Sequence, residues 1–263
     1  MNTASLIIFC IMVGLGAGLV YGIFGGGSGL IMMPGFYYIL HHFTLAYNYK
    51  MQIAIATTAA VSALLGISAT WVQWKNKYID FFAFKKIAPG LLVGVLSAVV
   101  LLNIIPSTLL KRLFGIIVIL VALWLACYRQ EQDQRVWSLS SFKNRILSTI
   151  IGTLWFLLGI AVFTVPYLHK CGLDLRRAIG CATLTSSVFS LVAAILLMIT
   201  GLFQVGLSWD HVGFVNLPLL AVSVVPSALA GYFGSKLSIK LPRSQLKYIY
   251  VALVGIVGFL MLW

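Results

Sequence analysis

The sequence predicts an all-α polytopic membrane protein of about eight transmembrane helices, built as two inverted repeats that each open with a broken or re-entrant hairpin. Three observations lead there. Apolar residues make up 61% of the 263 and charged residues only 9%, where a soluble domain carries about 25% charge. Apolar stretches near the ~20 residues needed for one crossing recur along the whole chain. The basic residues fall on short loops in a pattern that only one topology makes lopsided.

The apolar segments run at Ala4–Phe24, Ser28–Leu40, Gln52–Trp71, Ala83–Leu102, Leu109–Cys127, Ile146–Pro166, Ala178–Thr200, Val212–Ser235 and Leu246–Trp263. Met1–Ser5 lack the basic residues that open a signal peptide, so the first segment is expected to stay as a helix. Ser28–Leu40 is too short to span and reads as a half-helix. Trp71, Trp74, Tyr78, Phe81, Tyr128, Trp137 and Trp209 fall at segment ends, where amphipathic rings favour the headgroup zone. Residues 128–145 form the one clearly polar connection, with Arg129, Glu131, Asp133, Arg135, Lys143 and Arg145.

That connection divides the chain into a first repeat, 1–127, and a second, 146–263. Three matches recur in order. Pro34 follows a Gly-rich break and Pro166 follows Gly159. Ile55-Ala56-Thr57 answers Cys181-Ala182-Thr183, and Pro106–Lys111 answers Pro242–Lys247. Such duplication is common in secondary transporters. With four plain crossings per half the positive charges show no bias. With a broken hairpin opening each half, fifteen of the eighteen Lys and Arg face one side. The positive-inside rule then makes 128–145 a cytoplasmic loop and puts both termini outside. The return arm after Pro166 is short for such a hairpin.

The candidate site lies where the helix pattern breaks. Gly14, Gly18 and Gly22 form a small-residue stripe suited to helix packing. Gly25-Gly26-Gly27-Ser28-Gly29 is different: four glycines in five residues unwind a helix. Unwound backbone at membrane depth is tolerated only beside protein or a wet cavity. A half-helix starting there points free N–H groups and a positive dipole end at an anion, or simply makes a tight turn. Ser28 adds a hydroxyl donor or caps the helix. Thr57, Thr58, Thr183, Thr185 and Ser186 offer further hydroxyls, which either donate to an oxyanion or bond back to their own helix.

Other chemistries find little support. Asp80, Glu131, Asp133, Asp174 and Asp210 all lie off mid-helix, so no buried carboxylate relay is expected. His41, His42, His169 and His211 lie near segment ends, without metal-ligand spacing. Cys10, Cys127, Cys171 and Cys181 are isolated and read as small apolar residues. No enzyme activity, metal or cofactor is expected. The net charge of +13 is spread over many loops and does not point to nucleic acid.

A small-residue helix, then Gly25-Gly26-Gly27, then Pro34, then the Ala-Thr segment and its second copy, resembles the TauE/SafE sulfite exporter family (the 4-toluenesulfonate uptake permease group). The resemblance is best over Gly18–Pro34 with Ala54–Ser62, and over Gly152–Pro166 with Arg177–Ser187. It implies a multi-pass carrier of the cell inner membrane for small anions such as sulfite, sulfoacetate or related organosulfur compounds. By position, Gly25, Gly26, Gly27 and Pro34 match the first family motif, and Gly159 and Pro166 its second copy, with Thr164 between them. The second copy departs from the family in lacking the glycine run, which leaves the site asymmetric. The expected partners are a small anionic substrate and the lipid bilayer, and a homo-oligomer is compatible with the sequence. Two alternatives stay open: a passive anion channel or facilitator on the same scaffold, and a non-transporting subunit of a membrane complex.

Overall fold

The computed structural model describes residues 3–43, 49–127, 142–158, 163–204 and 209–240, and residues 252, 254–259 and 261 of the last segment. Its helices are α1 (Thr3–Phe24), α2 (Gly29–Phe43), α3 (Lys50–Lys75), α4 (Phe81–Ile104), α5 (Ser107–Cys127), α6 (Phe142–Leu158), α7 (Thr164–Lys170), α8 (Leu175–Leu202) and α9 (Leu217–Lys240). Strands β1 (His211–Val212) and β2 (Val215–Asn216) precede α9. Residues 254–259 are helical. Among the described residues, five helices are long and apolar enough to cross a bilayer: α1, α3, α4, α8 and α9. The 15-residue α2 and the seven-residue α7 are too short to do so.

The outer faces are apolar and the seams are small or hydroxylic, the arrangement that lipid selects. Ile8 and Met12 on α1, Val100 and Ile104 on α4, and Val225 and Phe233 on α9 are exposed. Inside, α1 lies on α9 through glycines. A Cβ on Gly14 would meet the Ser223 carbonyl, one on Gly18 the Ser227 carbonyl, and one on Gly22 the Gly231 carbonyl. The same design joins α4 to α6. A Cβ on Gly90 would meet the Ser148 side chain and one on Gly94 the Thr149 carbonyl. Thr153 Oγ1 donates to the Gly94 carbonyl at 3.1 Å and pairs with Ser97 Oγ at 2.9 Å. Close backbone approach supplies the dispersion energy that the hydrophobic effect cannot supply within lipid.

Chain direction follows from these registers. Positions rise together along α1 and α9, and along α4 and α6, so each of those pairs runs parallel. On α3 and α8 they run oppositely. Gly66 faces Ser187, while just beyond the end of α3 the Tyr78 carbonyl meets Gly180. At that end Asp80 caps α4, its carboxylate accepting from Phe82 N and Ala83 N at 3.0 Å each. Cys181 Sγ donates to the Asp80 carbonyl at 3.3 Å. α3 is the most enclosed helix, lying against α8, α9 and α2.

The segment expected to begin at Val212 opens instead with a β-hairpin. Val212 pairs with Val215 and His211 with Asn216. Gly213 takes φ +58°, the left-handed geometry of a tight hairpin turn. The hairpin seats against α3, where Asn216 N donates to Thr57 Oγ1 at 3.0 Å, and Asn216 Oδ1 caps α9 by accepting from Leu219 N at 2.9 Å. His211 Nε2 lies 3.2 Å from Asn216 Nδ2. Burial pushes the His211 pKa down, and adjacent Asp210 pulls weakly the other way. A lowered folded value leaves stability intact above the ordinary imidazole pKa of about 6.5. Below it the unfolded chain takes up the proton first, and stability falls until the folded group titrates too. The hairpin amides are therefore expected to exchange faster at pH 5 than chemical exchange alone predicts, relative to pH 7.5. His211→Gln should remove that excess. An excess that persists in the variant would assign it to another group.

Candidate functional site

The site is built on the break between α1 and α2. α1 stops at Phe24, and the amides of Gly25 and Gly26 both return to the Tyr21 carbonyl, at 2.9 and 3.0 Å. Gly25, Gly26 and Gly27 take φ of +77°, +148° and +93°, a run that residues with side chains adopt only under strain. α2 then restarts, with Ile31 N and Met32 N bonded to the Ser28 carbonyl. Among the described residues, the amides of Gly27, Ser28 and Gly29 donate to no backbone carbonyl. All three residues line one buried cavity of about 20 Å³, room for a single water-sized body.

Three more helices complete the walls. α3 brings Ile55, Thr58, Ala59 and Ser62, and α8 brings Ser186 and Ser190. From α6 come the Trp155 and Phe156 rings. Ser62 Oγ donates to the Thr58 carbonyl at 2.7 Å. With that proton committed, the 2.6 Å contact between Ser28 and Ser62 has Ser28 as donor. Ser186 Oγ donates to the Gly25 carbonyl at 3.1 Å and so ties α8 to the break. The Thr58 hydroxyl is buried and has no hydrogen-bond partner among the described residues. No Lys, Arg or His is among the described lining residues. The cavity thus offers amide and hydroxyl donors within an apolar and aromatic shell, a donor set for a small oxyanion.

The sequence-predicted residues divide cleanly. Gly27, Ser28, Gly29, Thr58 and Ser186 come together in the cavity. Gly25 and Gly26 shape the break behind it. A Cβ on Gly25 would lie 2.7 Å from the Ile179 carbonyl oxygen. Thr57 holds the hairpin. The Thr183 and Thr185 hydroxyls bond back within α8, to the Ile179 carbonyl at 2.8 Å and the Cys181 carbonyl at 2.5 Å. Pro34 faces away, into a second cavity. Thr164 is buried at the start of α7 and Pro166 half-buried within it, neither lining the cavity. Gly159 lies outside the described residues.

Sequence reasoning missed Tyr21, Ser62, Ser190, Trp155 and Phe156 as lining residues. A signal for two of them exists. Ser62 follows Thr58 by four residues and Ser190 follows Ser186 by four, so each pair shares a helix face. Tyr21 is fully buried, its hydroxyl donating to the Thr183 carbonyl at 3.2 Å. The aromatic pair carries no such mark, because nothing local distinguishes it from rings that face lipid.

Comparison with known proteins agrees with this architecture. Three proteins each described as a "Probable membrane transporter protein" align along nearly their full length. That of Haemophilus influenzae is 26% identical, covering 92% of this chain and 93% of the relative. That of Methanocaldococcus jannaschii is 24% identical, covering 98% and 96%. That of Bacillus subtilis is 20% identical, covering 94% and 96%. No solved structure matches the chain. The family described as Sulfite exporter TauE/SafE matches residues 10–261, a span that includes both halves and every helix lining the cavity, and the chain is a member of that family of membrane transporters.

Proposed function

We propose that the protein is a secondary transporter of a small anion, with sulfite, sulfoacetate or a related organosulfur compound as the substrate class, and that the anion passes through the Gly27–Gly29 cavity. The observation that carries this reading is the Thr58 hydroxyl, which among the described residues is buried without a partner in a cavity lined by Gly27, Ser28 and Gly29, whose amides donate to no backbone carbonyl. A buried hydroxyl left unpaired costs about 1–3 kcal/mol, a cost that a bound oxyanion would relieve. At about 20 Å³ the cavity is smaller than an organosulfonate, so the structure corresponds to a closed state and transport requires the walls to part.

The reading includes two inverted repeats, about eight crossings and a cytoplasmic 128–145 loop in the inner membrane. Exchanging the halves maps the α1–α9 pair onto α6–α4, both parallel and both glycine-seamed. It maps α3 onto α8, which run oppositely, as an in-plane pseudo-two-fold requires. Pro89-Gly90 with Gly94 on α4 answers Pro226-Ser227 with Gly231 on α9.

Thr58→Val tests the site. Valine matches threonine in shape and removes the unpaired hydroxyl, so the empty protein should melt at or above the wild-type temperature. Proteoliposome uptake of labelled sulfite, thiosulfate and sulfoacetate, with and without a pH gradient, should show KM raised about ten-fold, the loss of one hydrogen bond to a charged group. An unchanged KM for a transported anion would remove Thr58 from the site. Accumulation against a gradient separates a coupled carrier from a passive facilitator.

A further inference from the structure

We infer that the cavity between α1, α2, the first turn of α5 and the C-terminal helix is a binding site for one anionic phospholipid. Its volume is about 630 Å³ and it is partly open to the surroundings. Its walls are apolar, with Phe9 and Val13 from α1, Leu30 and Ile31 from α2, and Val257 and Met261 from the last helix. From Ile31 to His41 is ten helical residues, about 15 Å. That is half of the ~30 Å hydrocarbon core, the depth of one leaflet. An acyl chain fits such a trough in length and polarity.

The mouth supplies the headgroup's counter-charge. Lys111 carries that charge at the rim, beside the His41 and His42 rings, and Lys50 lies close enough to His41 to act on it electrostatically. The Lys111 ammonium stands 5.4 Å over the Tyr37 ring, and that ring stacks on His41 at 5.9 Å. The ammonium is thus held at the rim. Among residues 1–130 the only acidic residue is Asp80, beyond the opposite end of α3. Positive charge over an apolar trough one leaflet deep is complementary to a phosphate on an acyl chain. It is not complementary to a zwitterionic headgroup or to a free inorganic ion, which would leave the trough empty. The site is separate from the Gly27–Gly29 cavity and does not depend on the transported substrate.

The test is thermal unfolding of the purified full-length protein in mild detergent. Phosphatidylglycerol, phosphatidylcholine or inorganic phosphate is added separately. Phosphatidylglycerol should raise the melting temperature in a saturable manner, with phosphatidylcholine and phosphate having little effect. Lys50→Gln with Lys111→Gln should weaken that response roughly thirty-fold, at about 1 kcal/mol for each lysine. Equal shifts from both lipids, a shift reproduced by phosphate, or an undiminished response in the double variant would each overturn the proposal. Should the double variant not fold, lipid retained by the wild-type protein through purification decides the matter. Enrichment of phosphatidylglycerol over the host membrane supports the site, and the bulk composition refutes it.

Discussion

Gly27→Leu is expected to insert into the membrane at wild-type levels and to show no measurable uptake. Gly27 sits at φ +93° and lines the cavity. A side chain at that backbone geometry costs about 1–3 kcal/mol. That is small enough for the protein to stay folded, since domain stabilities are commonly about 5–15 kcal/mol. The effect on function is far larger for two reasons. The cavity holds about 20 Å³, so a leucine side chain fills it outright. The same side chain would shield the amides of Gly27, Ser28 and Gly29 from any ligand. Uptake should fall at least a hundred-fold while the amount of inserted protein stays near wild type and the melting midpoint drops by only several degrees. Uptake retained within a few-fold of wild type would move the translocation path away from the α1–α2 break.

Gly18→Leu is expected to fail differently, by loss of folded protein. A Cβ there would overlap the Ser227 carbonyl oxygen and lie 2.9 Å from both Ser227 Cα and Ala230 Cβ. Backbone cannot swing aside as a flexible side chain can, so α1 and α9 must separate. Overpacking costs about 1–3 kcal/mol in soluble cores, and a seam between two backbones belongs at the upper end of that range or above it. Thermal unfolding of the purified protein should show a clearly lowered midpoint or little monodisperse material. Gly255→Ala is the control. A Cβ at Gly255 meets nothing within 4 Å among the described residues, and alanine favours the helix by up to about 1 kcal/mol. The two substitutions should therefore move stability in opposite directions. A wild-type midpoint for Gly18→Leu would mean that the α1–α9 seam does not carry the fold.

The parts of this architecture legible in the sequence are those set by local forces. Hydropathy over ~20 residues reports the cost of placing each segment in lipid, so the long helices fall close to their expected bounds. A glycine run reports loss of helix propensity at its own position, so the α1–α2 break and the short α2 were readable. The expected sixth segment, Ile146–Pro166, in fact divides into α6, ending at Leu158, and the seven-residue α7. The hairpin before α9 was not read, because two-residue strands leave no period to detect.

The site itself was only half legible. Composition marks Thr57, Thr58, Thr183, Thr185 and Ser186 alike as hydroxyls on small-residue helices. Tertiary packing alone assigns Thr58 and Ser186 to the cavity, Thr57 to the hairpin and the other two to their own helix. The assignment rests on contacts between residues far apart in the chain, such as Ser186 with Gly25 at a separation of 161 positions. The chain alone thus determined membrane residence, the helices and the place where one of them breaks, because each follows from the solvation and flexibility of neighbouring residues. Which hydroxyls surround the break, and that Trp155 and Phe156 close it, was decided by how α1, α3, α6 and α8 pack, because side-chain direction becomes meaningful only once those helices share a register.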